Sequence, residues 1–309
     1  MAAILIVGAG GVGLYYGGLL ARGGEEVALL ARGAALEALR QGELTVRSER
    51  SGNFKVRLPV VAAASEAGQP ELVLLCVKTY DLEPAVQALL PALTPTTVVL
   101  PLENGIEVPG VVCALLRERA TVLGAAAYLE ATRLGPDLVE QTGGSCRIAL
   151  GELDGALSRR ASAIAQRLLR ADIPAAAVEN IGIELWSKFA FICAFGLCAV
   201  CATSIGKVLE TDAGRGSFRA LLEEGLAVGR AMGVALPGGR ADKLLEIALG
   251  LPVGMRSSLQ RDLAAGRPTE VEALQGALRR LGLAAGVPTP CTSLLDAALT
   301  QRQRRATDS

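Results

Sequence analysis

Short unbroken apolar runs punctuate the first half of the chain. "AILIV" ending at Val7, "EVALLA" from Glu26 to about Ala31, "ELVLLCV" and "TTVVLPL" each read as strands buried on both faces, the pattern of a parallel sheet. Between the first two lies a helical stretch that runs to about Arg22 and is closed by Gly23 and Gly24. "GELTVRS" and "FKVRLPVVAA" alternate apolar and polar positions and predict a hairpin or a pair of edge strands. "ATVLGAAAYLEA" and "SCRIALGELDG" predict later strands that extend the same sheet. The helix "RRASAIAQRLLRADI" and a short strand-like piece, "AAAVENI", close this half. Beyond about Glu179 the period becomes helical. "ELWSKFAFICAFGLCAVCA", "GSFRALLEEGLAVGRAMG", "RADKLLEIALG", "RPTEVEALQGALRRLG" and "CTSLLDAALTQRQRR" follow one another, and no further strand is predicted. Gly233 and Gly286-Val287-Pro288 read as helix stops and Pro268 as a helix start.

The first strand runs directly into Gly8-Ala9-Gly10-Gly11-Val12-Gly13 and then into a helix. In that context the glycine spacing predicts a dinucleotide site. Gly8 allows the tight turn, Gly10 lets a pyrophosphate approach the backbone, and Gly13 lets helix and strand pack closely. The helix N-terminus at Gly11 and Val12 favours the anion. The pattern as a whole predicts an α/β Rossmann domain over residues 1–179, followed by an all-α carboxyl-terminal domain over residues 180–309. A site for NAD normally places Asp or Glu at the end of the second strand, to hold a ribose hydroxyl. This chain has Ala31-Arg32-Gly33. Arg32 suits the extra 2′-phosphate of NADP, so NADPH is the expected cofactor. Lys78 ends the "ELVLLCV" run, and Asn104-Gly105 follows "TTVVLPL". Open α/β sheets bind ligands beyond the carboxyl ends of their strands. The glycine loop, Arg32, Lys78 and Asn104 are therefore expected to converge. Arg32 also reads as a surface cation, and Asn104 as an ordinary Asn-Gly turn residue.

Composition narrows the chemistry. The 309 residues carry no net charge, so no nucleic-acid partner and no polybasic membrane patch are expected. The amino-terminal apolar run stops at Gly8, and the run from Phe189 to Ala202 is shorter than the ~18 residues of a span, so no membrane segment is expected. The seven cysteines lie mostly in apolar segments without a disulfide framework, which points to a reducing, cytoplasmic setting. The chain has no histidine. That removes Ser-His-Asp and Cys-His catalysis and most zinc sites, and no metal site is expected. Cys198 and Cys201 read as core packing. Proton transfer must fall to Lys, Tyr, Cys, Asp or Glu. Of the 31 basic residues only Lys55, Lys78, Lys188, Lys207 and Lys243 are lysines, which draws attention to Lys78 and Lys188.

Lys188 sits in an apolar helix among Trp186, Phe189, Phe191 and Ile192. It could lie on a surface strip, pair with Glu184 four residues earlier, or extend its head out of an apolar site. Alternatively the helix faces the nucleotide cleft, and the ammonium serves as proton donor for a carbonyl reduced by hydride. Glu270 reads as a first-turn residue of a helix, where the macrodipole favours a carboxylate. Ser257 and Ser258 read either as helix N-caps or as ligands for a substrate carboxylate.

Taken in order, "GAGGVG", Arg32, "VKTYD", "ENG", "ELWSKF", "SSLQRDLAAGRPTEVEALQGA" and "GVPTP" give the chain a resemblance to the ketopantoate reductases, over nearly its whole length. That resemblance implies a Rossmann domain joined to a helical domain with the active site between them. It also implies reduction of 2-dehydropantoate to pantoate by NADPH, a step toward pantothenate and coenzyme A. It assigns Lys188 as general acid and Glu270 as the carboxylate that orients substrate. Asn104 becomes the amide near nicotinamide and substrate, and Ser258 a substrate-carboxylate ligand. Arg32 and Lys78 become groups around the 2′-phosphate and adenosine end. The partner is then a small 2-keto acid. The long helices of the second domain could pack within one chain or across a homodimer.

One departure stands out. Family members carry Asn one and two helical turns after the lysine, facing the substrate, where this chain has Ile192 and Gly196. Losing groups that hydrogen-bond a substrate can redirect specificity. Two alternatives therefore stand beside the first reading: a reductase of another 2-oxo acid or an opine-type dehydrogenase, and a non-catalytic NADP-binding regulator.

Overall fold

The structure, a computed structural model, describes residues 2–307. The chain forms two compact units. One reaches to Glu103 and resumes over Val108–Ile181; the other takes Asn104–Glu107 and continues from Gly182. The expected division after residue 179 thus shifts by two residues, and a four-residue insert of the first half belongs to the second unit.

The strands of the first unit are β1 (Ile4–Val7), β2 (Val27–Leu30), β3 (Leu44–Ser48), β4 (Phe54–Val56), β5 (Val60–Val61), β6 (Leu72–Leu75), β7 (Val98–Pro101), β8 (Thr121–Val122), β9 (Gly124–Gly135), β10 (Leu138–Gly151) and β11 (Ala175–Ala177). Its helices are α1 (Gly11–Arg22), α2 (Gly33–Gln41), α3 (Leu82–Leu89), α4 (Val108–Leu116) and α5 (Arg159–Arg170). Six strands form a wholly parallel sheet in the order β5-β2-β1-β6-β7-β8. The order reverses direction at β1, which lies between β2 and β6. The pleat sends successive side chains to opposite faces. Ile4 and Ile6 enter a core with α1 and α5, whereas Leu5 and Val7 enter a second core with α3 and α4.

β3 and β4 form the antiparallel hairpin expected of the alternating segments, whereas the later segments, expected to extend the parallel sheet, largely do not. Of the later segments only the short β8 joins it. β9 and β10 form an antiparallel hairpin, and β10 pairs with β3 and β11 in a separate five-stranded sheet that also holds β4. An alternating strand announces one apolar face but not what that face covers. Here Leu44, Val46, Ala125, Ala127, Ile148 and Leu150 cover α1, which is buried on both sides. "FKVRLPVVAA" also splits: β4 pairs with β3, and after Pro59 the two-residue β5 pairs with β2.

The second unit is helical, and among the described residues no strand follows β11. Its helices are α6 (Ile181–Ala194), α7 (Gly196–Cys201), α8 (Ile205–Leu209), α9 (Asp212–Ala231), α10 (Arg240–Leu249), α11 (Ser258–Ala264), α12 (Ala277–Ala284) and α13 (Pro290–Thr307), with a π-helical turn over Glu272–Gly276 leading into α12. Edge-to-face rings of Phe191, Phe195 and Phe218 centre the core. The Glu224 carboxylate of α9 accepts the Cys291 and Thr292 amides at 2.8 Å each and so caps α13. Counted from Ile181 rather than Phe189, the apolar stretch reaches Cys201 and is long enough to cross a membrane by composition. More than half of it is buried inside the protein, and a turn at Phe195 interrupts it.

Candidate active site

The glycine loop has the local geometry its spacing demands. Gly8 adopts φ +109°, and a Cβ there would lie 2.9 Å from the Cys76 carbonyl oxygen of the neighbouring chain segment. A Cβ on Gly13 would lie 2.0 Å from the Gly8 carbonyl oxygen, so α1 seats against its own loop only because that side chain is missing. Gly10 is different. A Cβ there would meet nothing closer than the Cys76 carbonyl oxygen at 3.8 Å. Its bare face is open, and no side chain caps the start of α1 at this residue. The first amides of a helix lack intrahelical acceptors and favour an anion. Gly11 and Val12 head that first turn. An open glycine beside an uncapped helix start fits the pyrophosphate of a dinucleotide. Cys76, next to the loop, is held protonated: burial first, and the Glu103 carboxylate second, push its thiol well up.

Arg32 and Lys78 follow β2 and β6, the two neighbours of β1, at the same carboxyl edge as the loop. Arg32 is exposed and extended, immediately before α2. Lys78 is half-buried, and its carbonyl accepts the Asp81 amide at 2.8 Å as the chain turns into α3. A third cation joins them at the loop. Arg133, on β9, donates from Nη1 to the Ala9 carbonyl at 3.3 Å, which places a guanidinium against the glycine loop. Nothing in the sequence marks it out, because only the fold of the second sheet over α1 brings it there.

The other expected groups lie in the helical unit. Asn104, three residues past the end of β7, belongs there with Ile106, which packs on the helical core, and Glu107, which pairs with Arg280 at 2.9 Å. Lys188 is half-buried on α6. Trp186, Phe189, Ala190 and Cys193 form the buried strip of that helix, while Glu184, Lys188 and Ile192 share the row that the helical core leaves partly open. Arg240 donates to the Ser187 hydroxyl at 2.9 Å, which anchors α6 beside the lysine. Ser257 resolves as the N-cap of α11, in a reciprocal capping box with Gln260. Ser258 is the first residue of α11 and is half-buried. Glu270 is buried at 7% exposure, but it does not lie in the first turn of a helix. It precedes the π turn, and its carbonyl accepts the Leu274 amide at 3.0 Å. Pro268 accordingly does not start the helix, which begins four residues later.

The two departures from the family pattern separate in space. Ile192 stays on the row of Lys188, but the turn at Phe195 carries Gly196 into the core. The bare side of Gly196 is filled by Gln275 and Leu295. Cys198 and Cys201 also part: Cys198 is buried, with its thiol pushed up to about 12 by that burial, whereas Cys201 is exposed.

A parallel sheet with an open glycine loop at its carboxyl edge, and an all-helical unit carrying a half-buried lysine and a buried glutamate, define a two-domain dinucleotide-binding oxidoreductase. Residues 4–155 match the family "Ketopantoate reductase PanE/ApbA", and residues 180–303 match its C-terminal counterpart. The chain belongs to this family. It is 30% identical to an uncharacterized oxidoreductase, YkpB, of Bacillus subtilis, over 92% of this chain and 94% of that one. It is 29% identical to a 2-dehydropantoate 2-reductase of Mesorhizobium japonicum, over 99% and 98% of the two chains. Among solved structures, a PanE/ApbA family ketopantoate reductase of Ralstonia eutropha superposes with a TM-score of 0.89 at 31% identity, covering 98% of this chain and 99% of that one.

Proposed function

We propose that the protein reduces 2-dehydropantoate to pantoate with NADPH. The observation that carries the reading is Lys188: a half-buried ammonium on the partly open row of a mostly apolar helix, in a chain with no histidine. The named 2-dehydropantoate 2-reductase relative supports the substrate.

When bound, the nicotinamide supplies the hydride for the keto carbon. The chain's own residues do the rest. Lys188 Nζ donates a proton to the keto oxygen as negative charge develops there, which an acid of this kind accelerates by about 10²–10⁴-fold. Glu270 and Asn104 orient the substrate, and the Ser258 hydroxyl donates to its carboxylate. The open face of Gly10 and the α1 amides receive the pyrophosphate, with Arg133 as a neighbouring cation. Arg32 holds the 2′-phosphate and Lys78 the adenosine end, which favours NADPH over NADH. Seven unpaired thiols support a reducing, cytoplasmic setting. The exposed Ile247, Leu249 and Val253 of the helical unit support association into a homodimer, which sedimentation velocity measures.

Steady-state oxidation of NADPH across a panel of 2-oxo acids tests the substrate. The reading expects the highest kcat/KM on 2-dehydropantoate. A higher value on another 2-oxo acid, or none on any, overturns it.

A further inference from the structure

The Gln275 side chain is fully buried in the helical unit. Its Nε2 donates to the Cys193 carbonyl at 3.0 Å, while its Oε1 has no hydrogen-bond partner. A buried amide with an unmet acceptor is costly, and an apolar side chain of the same size would avoid that cost. Its surroundings are nevertheless built around it.

We infer that Gln275 is a positioning residue that fixes the register between the helix of Lys188 and the segment of Glu270; the inference rests on the roles proposed above for those two groups. Three local features meet at the one hydrogen bond. The first is the end of α6. Cys193 lies five residues after Lys188, beside the turn at Phe195 where the helix is interrupted, and the Gln275 amide bonds its carbonyl there. The second is the π turn. Gln275 lies five residues after Glu270, within the turn closed by the Gly276 amide on the Val271 carbonyl at 3.0 Å. The extra residue of a π turn re-aims the side chains it carries, and such turns are frequent at functional sites. The third is Gly196. A Cβ there would lie 2.6 Å from Gln275 Nε2 and 3.3 Å from Leu295 Cδ1, so the amide occupies the space a side chain would need. The glycine at this position, which reads in sequence as a lost substrate contact, is the seat of the clamp.

The two ends of this bond are each about a turn and a half along the chain from a proposed catalytic group. A shift of the π turn against α6 therefore moves the Glu270 carboxylate relative to the Lys188 ammonium. Misplacement of a reacting group by an ångström costs up to about 100-fold in rate.

The test uses Gln275→Leu, which keeps the bulk and removes the bond, and Gly196→Ala, which keeps the glutamine and displaces its amide. Leu299→Ala, in the same core, serves as a control for lost stability alone. Three quantities are read on the folded full chain: kcat on 2-dehydropantoate, NADPH affinity by fluorescence titration, and the titration of each lysine by carbon NMR after reductive methylation. With only five lysines the last spectrum is simple. The inference expects kcat to fall about 10- to 100-fold in both variants, with NADPH affinity unchanged. The Lys188 titration should move while those of Lys207 and Lys243 stay. Leu299→Ala should lower the melting temperature and leave kcat and the Lys188 titration as they were. The inference is overturned if the two variants behave like Leu299→Ala. Should Gln275→Leu fail to fold, Gly196→Ala decides. If the native protein does not reduce 2-dehydropantoate, the proposed function falls, and the Lys188 titration alone decides the role of Gln275.

Discussion

Gly10 and Gly13 lie three residues apart and should answer the same added methyl group in opposite ways. At Gly13 the new Cβ would sit 2.0 Å from the Gly8 carbonyl oxygen and 3.2 Å from Ile6 Cγ2. A carbon rests about 3.4 Å from a carbonyl oxygen, so α1 must retreat by roughly 1.4 Å from β1. Overpacking of this kind costs about 1–3 kcal/mol. At about 2–4 °C per kcal/mol for a unit of this size, Gly13→Ala should lower Tm by about 2–12 °C. At Gly10 the nearest atom would be 3.8 Å away, and φ is −85°, so alanine fits. Folding stability should change by less than about 0.5 kcal/mol. The methyl group would nevertheless stand on the face proposed to receive the pyrophosphate. NADPH affinity should then fall about 10- to 100-fold, or about 1.4–2.7 kcal/mol. Thermal melts and NADPH fluorescence titrations of the two variants give both numbers. Native NADPH affinity in Gly10→Ala, or a native Tm in Gly13→Ala, would refute the reasoning.

Two further predictions concern charge. Arg32→Ala should raise the KM for NADPH by about 10-fold or more, leave the KM for the keto acid nearly unchanged, and erase the preference for NADPH over NADH; steady-state kinetics with both cofactors measures this. Glu152 accepts two hydrogen bonds from Arg160, at 2.6 and 2.7 Å, which lower its pKa below the ordinary carboxylate value. A depressed folded-state pKa contributes stability above the unfolded value and loses it as pH falls through the folded one. Native protein should therefore lose stability on acidification through that window. Glu152→Gln should be less stable at neutral pH and show a flatter dependence on the acid side, as read by denaturant melts across pH.

The parallel sheet was legible because buried strands announce themselves as unbroken apolar runs, and the glycine loop because its spacing serves one turn. Register and partner were not. Nothing in "SCRIALGELDG" says that it should cover α1 from a second sheet rather than extend the first. Arg133 is one arginine among many until β9 lays it on the loop. Pro268 carries the usual mark of a helix start, yet the chain forms no regular element through Glu270 and then widens into a π turn. That turn forms where Gln275 reaches a carbonyl 82 residues away in sequence, a contact that local pattern cannot show. Gly196 teaches the same lesson from the other side. A glycine in a helix suggests an absence, and here tertiary packing fills it.

The central claim is that Lys188 delivers the proton. NADPH-dependent reduction of 2-dehydropantoate, measured side by side for native protein and Lys188→Ala at matched NADPH occupancy, tests it most directly. The account predicts kcat lower by about 10²–10⁴-fold with NADPH affinity retained. Native turnover in the variant would contradict it.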